Sequence, residues 1–188
     1  MRVRWLGNAC IEIFGDKRIL IDPNFLVEPE KEADIVLLTH EHDDHFDKSN
    51  YFDYGKNAGL IAPETSLKKF GVNGKSVVPG DEFDDIRVLE SNCWNSEESV
   101  SYFYKGILHA GDSADFPEVS GVKLVFTACF PDYYDDYVVD FKKLDPGLVI
   151  PIHYDPSEDL SDAQGLVDRL SNEGIDSKIL ELGESVNI

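Results

Sequence analysis

The sequence predicts an α/β fold in which two β-sheets lie face to face with helices on the outside. Short β-branched and aliphatic runs recur along the 188 residues, mostly alone in the first half and alternating with helical stretches in the second. Glycine and proline are scattered singly, and no repeat or low-complexity run divides the chain. Hydrophobic residues make up 42% of the composition, enough for one buried core. We therefore expect a single domain over residues 1–188.

The predicted strands are apolar runs bounded by turn-forming residues. They cover residues 1–6, 11–14, 18–21, 34–39, 59–62, 76–78, 86–90, 100–104, 106–109, 124–127, 148–152 and 178–182.

Three stretches have helical periodicity or capping. Residues 65–70 form a short one. Residues 135–144 place Val138, Val139 and Phe141 on one face, ahead of a turn at 145–147. Residues 161–172 open with the capping-box spacing Ser161-x-x-Gln164 and end just before a glycine.

The chain is strongly acidic, with 37 Asp and Glu against 17 Lys and Arg and a formal net charge of -20. This surplus disfavours nucleic acid and anionic lipid as partners. Most of it is expected to form a solvated surface, and the alternative is that part of it surrounds a bound divalent cation.

Membrane and secreted classes are also disfavoured. Apolar runs such as 35–38 are far shorter than the roughly 18 residues of a membrane span, and no charged-then-apolar leader opens the chain. The three cysteines form no Cys-x-x-Cys pair, which argues against a disulfide framework or a cysteine-based zinc finger. We expect a cytoplasmic protein with a small-molecule substrate and no membrane partner, and oligomeric state is not predicted.

The informative feature is a cluster of histidines. Three of the five histidines fall within His40-Glu41-His42-Asp43-Asp44-His45, directly after a predicted strand. His40 and His42 point the same way if the chain stays extended, and Asp44 and His45 follow in the turn. Imidazole and carboxylate ligands suit zinc, manganese or iron, and this pattern predicts two adjacent metal sites that share one water. The alternative is a polar loop with surface histidines.

More ligands must come from distant segments. His109 and His153 each end an apolar run, so all five histidines lie at predicted strand ends. Asp112 follows a glycine that permits a sharp turn, which makes its carboxylate a candidate bridge between two ions.

At these residues the sequence resembles the metallo-β-lactamase-fold hydrolases, in particular the small branch that includes ascorbate-phosphate lactonase-like proteins. The resemblance rests on five motifs in the family's order: Trp5-Leu6-Gly7-Asn8-Ala9-Cys10, Ile19-Leu20-Ile21-Asp22-Pro23, Thr39-His40-Glu41-His42-Asp43-Asp44-His45, His109-Ala110-Gly111-Asp112 and Ile150-Pro151-Ile152-His153-Tyr154.

The resemblance implies a four-layer αβ/βα sandwich with the metals in a cleft at one edge between the sheets. It assigns His40 and His42 to a first ion, Asp44, His45 and His153 to a second, and Asp112 to a bridge. Asp22 resembles the family's buried acid that accepts the other N–H of a histidine ligand; the alternative is an ordinary turn before a proline.

The sequence departs from the family at two positions. Asn8 stands where the lactonase-like branch usually has a histidine, and it is a poor metal ligand although it can still form hydrogen bonds near the site. No histidine occurs from 46 to 108, where the third ligand of the first ion is expected. Cys93 is the expected substitute, since a thiolate binds zinc well. The alternative is a small buried thiol with no metal contact.

These residues predict a metal-dependent hydrolase in which a metal-activated water attacks a small ester, lactone or phosphoester. The cofactor is one or two zinc ions, with manganese or iron possible, and Asp44 or His109 carries the proton. His109 instead supports a ligand in the alternative interpretation. Other functions left open are a metal-binding, non-catalytic or regulatory protein with a degenerate first site, and a phosphodiesterase or nuclease. The aromatic-rich stretch 133–137 either packs or rims the cleft or a subunit contact.

Overall fold

The computed structural model describes residues 1–188 and contains two β-sheets and four α-helices. The chain forms two compact units. The first comprises residues 1–78, 95–99 and 180–188, and the second comprises residues 79–94 and 100–179. Each unit is built around one of the sheets.

The first unit holds a seven-stranded sheet in the order β13-β1-β2-β3-β4-β5-β6. Its strands are β1 (Arg2–Gly7), β2 (Cys10–Phe14), β3 (Arg18–Ile21), β4 (Ile35–Leu37), β5 (Gly59–Ala62), β6 (Lys75–Ser76) and β13 (Ser185–Asn187), and its helices are α1 (Lys48–Tyr54) and α2 (Glu64–Phe70).

Pairing changes direction across this sheet. Strands β1 to β3 are antiparallel, whereas β3 to β6 are parallel neighbours. The parallel register pairs Ile21 with Leu37, so the chain leaves β3 and β4 at the same edge. That edge carries Asp22 and the histidine loop.

One face of the sheet buries an apolar cluster. It includes Leu20, Val36 and Leu60 from three neighbouring strands, together with Phe46 and Tyr51. The rings of Phe46 and Tyr51 lie 5.5 Å apart, so α1 and the chain just before it are anchored on the sheet. Burial of this order stabilises by roughly 1.5–3 kcal/mol per large apolar side chain.

The second unit holds a six-stranded sheet in the order β12-β11-β10-β9-β8-β7. Its strands are β7 (Glu82–Phe83), β8 (Ile86–Glu90), β9 (Val100–Tyr104), β10 (Ile107–His109), β11 (Leu124–Ala128) and β12 (Val149–Ile152), and its helices are α3 (Tyr134–Leu144) and α4 (Leu160–Ser171), with a 3₁₀ turn at Pro131–Tyr133. Strands β10, β11 and β12 are parallel, so their carboxyl ends share one edge.

Most predicted elements agree with the structure, and the fold class is confirmed as α/β. The predicted strand at 178–182 is wrong, because that segment forms no strand and the strand lies further on at Ser185–Asn187. Leu180 is nevertheless buried, which explains the apolar pattern there. Helix α1 and the short strand β7 were not predicted.

Helix α3 also corrects one expectation about its face. Val138 and Phe141 are buried, but Val139 is 53% exposed, since positions one apart on a helix are about 100° apart. None of the helices combines the length and apolarity needed to cross a membrane.

Candidate metal centre

Two neighbouring strand ends place the histidine loop of the first unit. Asp22 follows β3, and Thr39 and His40 follow β4, so the register of these parallel strands brings them together. Thr39, His40 and His45 are all fully buried. The loop is thus fixed by the sheet, as a rigid site requires.

The Asp22 carboxylate organises this loop. It accepts a 2.8 Å hydrogen bond from the Thr39 backbone N–H, another of 2.8 Å from the Thr39 hydroxyl, and lies 2.8 Å from Nδ1 of His45. The Thr39 hydroxyl oxygen is in turn 3.0 Å from Nδ1 of His40. Because the hydroxyl donates to Asp22, it accepts from the Nδ1–H of His40.

This network sets the tautomer of two histidines. With Nδ1 of His40 and of His45 acting as donors, each ring carries its lone pair on Nε2, which is the form that binds a metal ion. The buried Asp22 carboxylate thus contacts one of these histidines directly and reaches the second through Thr39.

The remaining residues of the loop lie close to these rings. The centroids of His40 and His42 are 4.6 Å apart, and those of His40 and His45 are 4.0 Å apart. Candidate ligand atoms of His40 and His42 lie within 4.8 Å of each other, as do those of Asp44 and His45. Asp44 is exposed, whereas His42 is half-buried. The first unit thus presents two neighbouring pairs of ligands.

Asn8 supports the loop indirectly. Its Nδ2 donates to the carbonyl oxygen of Asn24 at 3.1 Å, and Asn24 Nδ2 donates to the carbonyl oxygen of Asp43 at 3.2 Å. Asn8 therefore joins the β1–β2 turn to the histidine loop through Asn24, a residue that the sequence did not single out.

Glu41 fastens the same loop to residues 95–99. Its carboxylate accepts a 2.9 Å hydrogen bond from the Ser96 hydroxyl and a 2.6 Å hydrogen bond from the Glu97 backbone N–H. Burial alone would raise the pKa of Glu41, but these hydrogen bonds outweigh it and hold the pKa below its ordinary value. Lys69 adds a 2.6 Å hydrogen bond to the Glu41 carbonyl oxygen and a 2.9 Å ion pair with Asp43.

In the second unit, Asp112 lies between two other candidate ligands. Its Oδ2 is 3.4 Å from Nε2 of His153 and 4.0 Å from Sγ of Cys93. His153 directly follows β12, and Asp112 follows β10 after a tight turn at Gly111, which has φ 58°. An oxygen placed between a thiol and an imidazole fits a carboxylate that serves both neighbours.

His109 stays inside the protein. It ends β10 fully buried, its ring stacks against Phe126 at 6.5 Å, and its Nδ1 accepts the Gly111 backbone N–H at 3.2 Å. This contact shapes the turn that carries Asp112.

Three of the predicted site residues have an unusual backbone conformation. Asn8, Asp22 and His153 have φ values of 47°, 49° and 61°, in the left-handed region where non-glycine residues are uncommon. Such conformations persist where the surrounding structure imposes them, and they concentrate at functional sites.

The predicted ligands thus occur as two sets, one in each unit. The first set offers three imidazoles and a carboxylate, and the second offers a thiol, a carboxylate and an imidazole. Nitrogen, sulfur and oxygen donors in this mixture suit zinc. A family model of the β-lactamase superfamily domain matches residues 2–153. The chain belongs to the β-lactamase superfamily.

Other members of the superfamily resemble this one over most of its length. A UPF0173 metal-dependent hydrolase of Methanoculleus marisnigri is 26% identical, over 100% of this chain and 97% of its own. One from Thermoplasma acidophilum is 28% identical, over 82% of this chain and 83% of its own. The predicted enzyme class is confirmed at the level of this superfamily.

Solved structures show the same fold. A metallo hydrolase from Ignicoccus hospitalis superposes with a TM-score of 0.76 at 19% identity, over 98% of this chain and 97% of its own. Zinc-bound PqqB from Methylobacterium extorquens superposes with a TM-score of 0.69 at 11% identity, over 100% of both chains. The predicted metallo-β-lactamase fold is confirmed, while the lactonase-like branch and the single domain stay predictions.

Proposed function

We propose that this superfamily member is a metal-dependent hydrolase of a small ester, lactone or phosphoester. On the ligand assignment made from the sequence, His40, His42 and Cys93 would hold a first ion, Asp44, His45 and His153 would hold a second, and Asp112 would contribute a carboxylate to both. A bound divalent ion would lower the pKa of its water toward 7 and stabilise negative charge on the attacked oxygen.

The observation that carries this proposal is the Asp22–Thr39 network. A loop histidine without a metal role needs no fixed tautomer, yet here two buried histidines are both held with Nε2 as the lone-pair nitrogen. Maintaining a buried carboxylate for this purpose is costly unless it supports a ligand.

The proposal assigns further roles to Asp44 and His109. Asp44 is exposed and can exchange protons with water, which favours it as the proton carrier. His109 is fully buried with Nδ1 directed to the Gly111 N–H, which favours the role of shaping the Asp112 turn. Both assignments belong to the proposal.

The test combines metal content with turnover. The protein is loaded with zinc, manganese or iron, its metal-to-chain ratio is measured, and a panel of simple esters, lactones and bis(nitrophenyl) phosphate is assayed. We expect two ions and metal-dependent hydrolysis, and we expect His42→Ala to lose the first ion. Full metal content in His42→Ala would contradict the ligand assignment.

A second candidate function follows from Cys93, which stands where the family has a histidine. If its thiol only packs, the first ion keeps few ligands and the protein binds metal without catalysis. One ion per chain and no turnover with any metal would favour this alternative. Cys93→Ser separates the two, since loss of one zinc is expected only if the thiolate is a ligand.

A further inference from the structure

The ligand set of the second unit is flanked by exposed aromatic rings. Trp94 directly follows Cys93, and its side chain is 82% exposed, the highest exposure among the large hydrophobic residues that reach the surface. The Cys93 thiol donates to the Trp94 carbonyl oxygen at 3.5 Å, which ties the two residues' positions together. An indole that is 82% exposed contributes little to packing within the fold.

An aromatic pair lies next to His153. The ring of Phe130 makes an edge-on contact with His153 at 5.3 Å, and Tyr133 is 6.5 Å from Phe130 and 44% exposed. The parallel strands β11 and β12 place Phe130 and His153 at the same edge. Aromatic residues therefore neighbour candidate ligands at both ends of the set, Trp94 in sequence and Phe130 by ring contact, and we call Trp94, Phe130 and Tyr133 the aromatic rim.

Charge around this rim selects against anions. The segments that carry the second unit's ligands and the rim, residues 91–94, 109–119, 128–136 and 153–159, contain nine Asp and Glu and no Lys or Arg. Arg169 approaches one of them through a 2.9 Å ion pair with Asp135, but it is also paired with Glu173 at 2.7 Å. Recognition of a phosphate ordinarily uses Arg or Lys. Helix α3 begins here at Tyr134, but Asp135 and Asp136 in its first turn offset the positive end of the helix.

The metal ions of the proposed centre would not reverse this preference against anionic substrates. Two divalent ions would bring four positive charges, and the carboxylates of Asp44 and Asp112, a Cys93 thiolate and the hydroxide formed from the activated water would neutralise all four. A centre without net charge can still polarise a carbonyl, and the acidic segments around it disfavour a substrate that is already anionic.

We propose that the substrate is an uncharged carboxylic ester or lactone with an aromatic or flat apolar group, which the aromatic rim recognises by stacking. This inference rests on the proposed hydrolase function. Trp94 is the most exposed residue of the rim, and its indole ring has no atom that binds a metal ion. It therefore contributes to substrate specificity rather than to the chemical step.

The kinetic test varies only the part of the substrate that meets the rim. Ethyl phenylacetate and ethyl acetate share one leaving group, and ethyl phenyl phosphate supplies the anionic counterpart. We expect kcat/KM for ethyl phenylacetate to exceed that for ethyl acetate by about 3- to 10-fold, from one aromatic contact. Trp94→Ala should remove most of this advantage through KM, Trp94→Phe should restore it, and Val139→Ala on the exposed face of α3 serves as the control.

A binding test needs no turnover. The chain has two tryptophans, and Trp5 is fully buried, so exposed-tryptophan fluorescence reports on Trp94. Phenylacetamide should shift this emission saturably in metal-free and zinc-loaded protein, whereas acetamide and phenyl phosphate should not. The shift should be absent in Trp94→Phe, which keeps the ring but removes the reporter.

Failure of the two proposals can be told apart. Absence of hydrolysis with every metal would reject the proposed function, and the fluorescence test would still show whether the aromatic rim binds an aromatic ligand. Equal rates for both ethyl esters, preference for the phosphate ester, or no effect of Trp94→Ala on KM would overturn the rim proposal and leave the hydrolase intact. A dimer in sedimentation that Trp94→Ala dissociates would also overturn it, because Trp94 would then be a subunit contact.

Discussion

The substitution Asp22→Asn replaces one oxygen of a buried carboxylate with an amide NH₂ and keeps nearly the same side-chain shape. The wild-type carboxylate accepts from the Thr39 backbone N–H, the Thr39 hydroxyl and Nδ1–H of His45, each at 2.8 Å. The amide oxygen can still serve the backbone N–H. The amide nitrogen then faces the hydroxyl, which can rotate to accept, and the imidazole Nδ1–H, which cannot remain a donor toward another N–H.

The expected consequence is a tautomer change. His45 relieves the conflict by moving its proton to Nε2, so the nitrogen needed by the metal loses its lone pair. Removing a partner that orients a ligand typically lowers metal affinity by about 10- to 100-fold. The lost charged hydrogen bond costs about 1.5–3 kcal/mol of folding free energy. At this chain length that corresponds to a fall in Tm of roughly 3–12 °C.

Asp22→Ala should cost more stability than Asp22→Asn. It leaves three buried donors without their acceptor, an effect of about 3–5 kcal/mol. Zinc affinity is measured by competition with a chromophoric chelator, and Tm is measured on metal-free protein so that bound zinc does not add stability. Asp34→Asn is the control, since its carboxylate only accepts the exposed Arg18 backbone N–H. An Asp22→Asn protein that binds zinc as tightly as wild type would refute the tautomer argument.

Three further predictions concern other groups. Burial raises the pKa of the Cys129 thiol to about 12 and that of Cys10 well above its ordinary value. These two cysteines are 2% and 0% exposed and Cys93 is 9% exposed, so a thiol reagent at about pH 8 should label Cys93 fastest, with zinc protecting it. Peptide mass mapping checks this, and labelling of Cys93 unaffected by zinc would contradict a ligand role. Glu41→Gln should lower the free energy of unfolding by about 1–2 kcal/mol, because the hydrogen bonds from Ser96 and Glu97 lose a charged acceptor. The change is measured as a lower urea midpoint. An unchanged midpoint would show that these two hydrogen bonds do not contribute to stability. Lys142 and Arg169 lower the pKa of Glu173 to about 2. The stabilisation from these ion pairs is therefore present above the unfolded pKa near 4.5 and is lost as pH falls toward 2. At low salt, the urea midpoint should fall less between about pH 6 and pH 3 in Glu173→Gln than in wild type, and equal falls in both proteins would reject this.

The candidate ligands could be predicted because histidine is rare in this chain and because each candidate follows a recognisable strand pattern. Imidazoles are scarce in this chain, and each lies where an apolar run stops, so periodicity alone placed them at strand ends. The strands themselves were found for the same reason. The fold followed from the resemblance of five short motifs rather than from any one of them.

The supporting contacts were not predictable in the same way. Glu41 lies inside the histidine motif, but its partners Ser96 and Glu97 are 55 and 56 residues further on, and nothing in the local pattern points to them. Thr39 was placed in a predicted strand and within the histidine motif, but no role was predicted for its hydroxyl, which links Asp22 to His40. Helix α1 was missed because only Tyr51 on it is buried, so it lacks a strong apolar period, and Asp47 as its N-cap was the available signal.

The left-handed backbone at His153 has a consequence for how this protein tolerates mutation. Glycine adopts that conformation without the strain, on the order of 1 kcal/mol, that an imidazole-bearing residue carries there. His153→Gly should therefore accumulate in cells about as well as the parent while holding less metal, in contrast to most substitutions, which harm folding and function together. A screen that scores abundance alone would pass such a variant. Under the proposed ligand assignment, the backbone conformation favours glycine at this position whereas metal binding favours histidine.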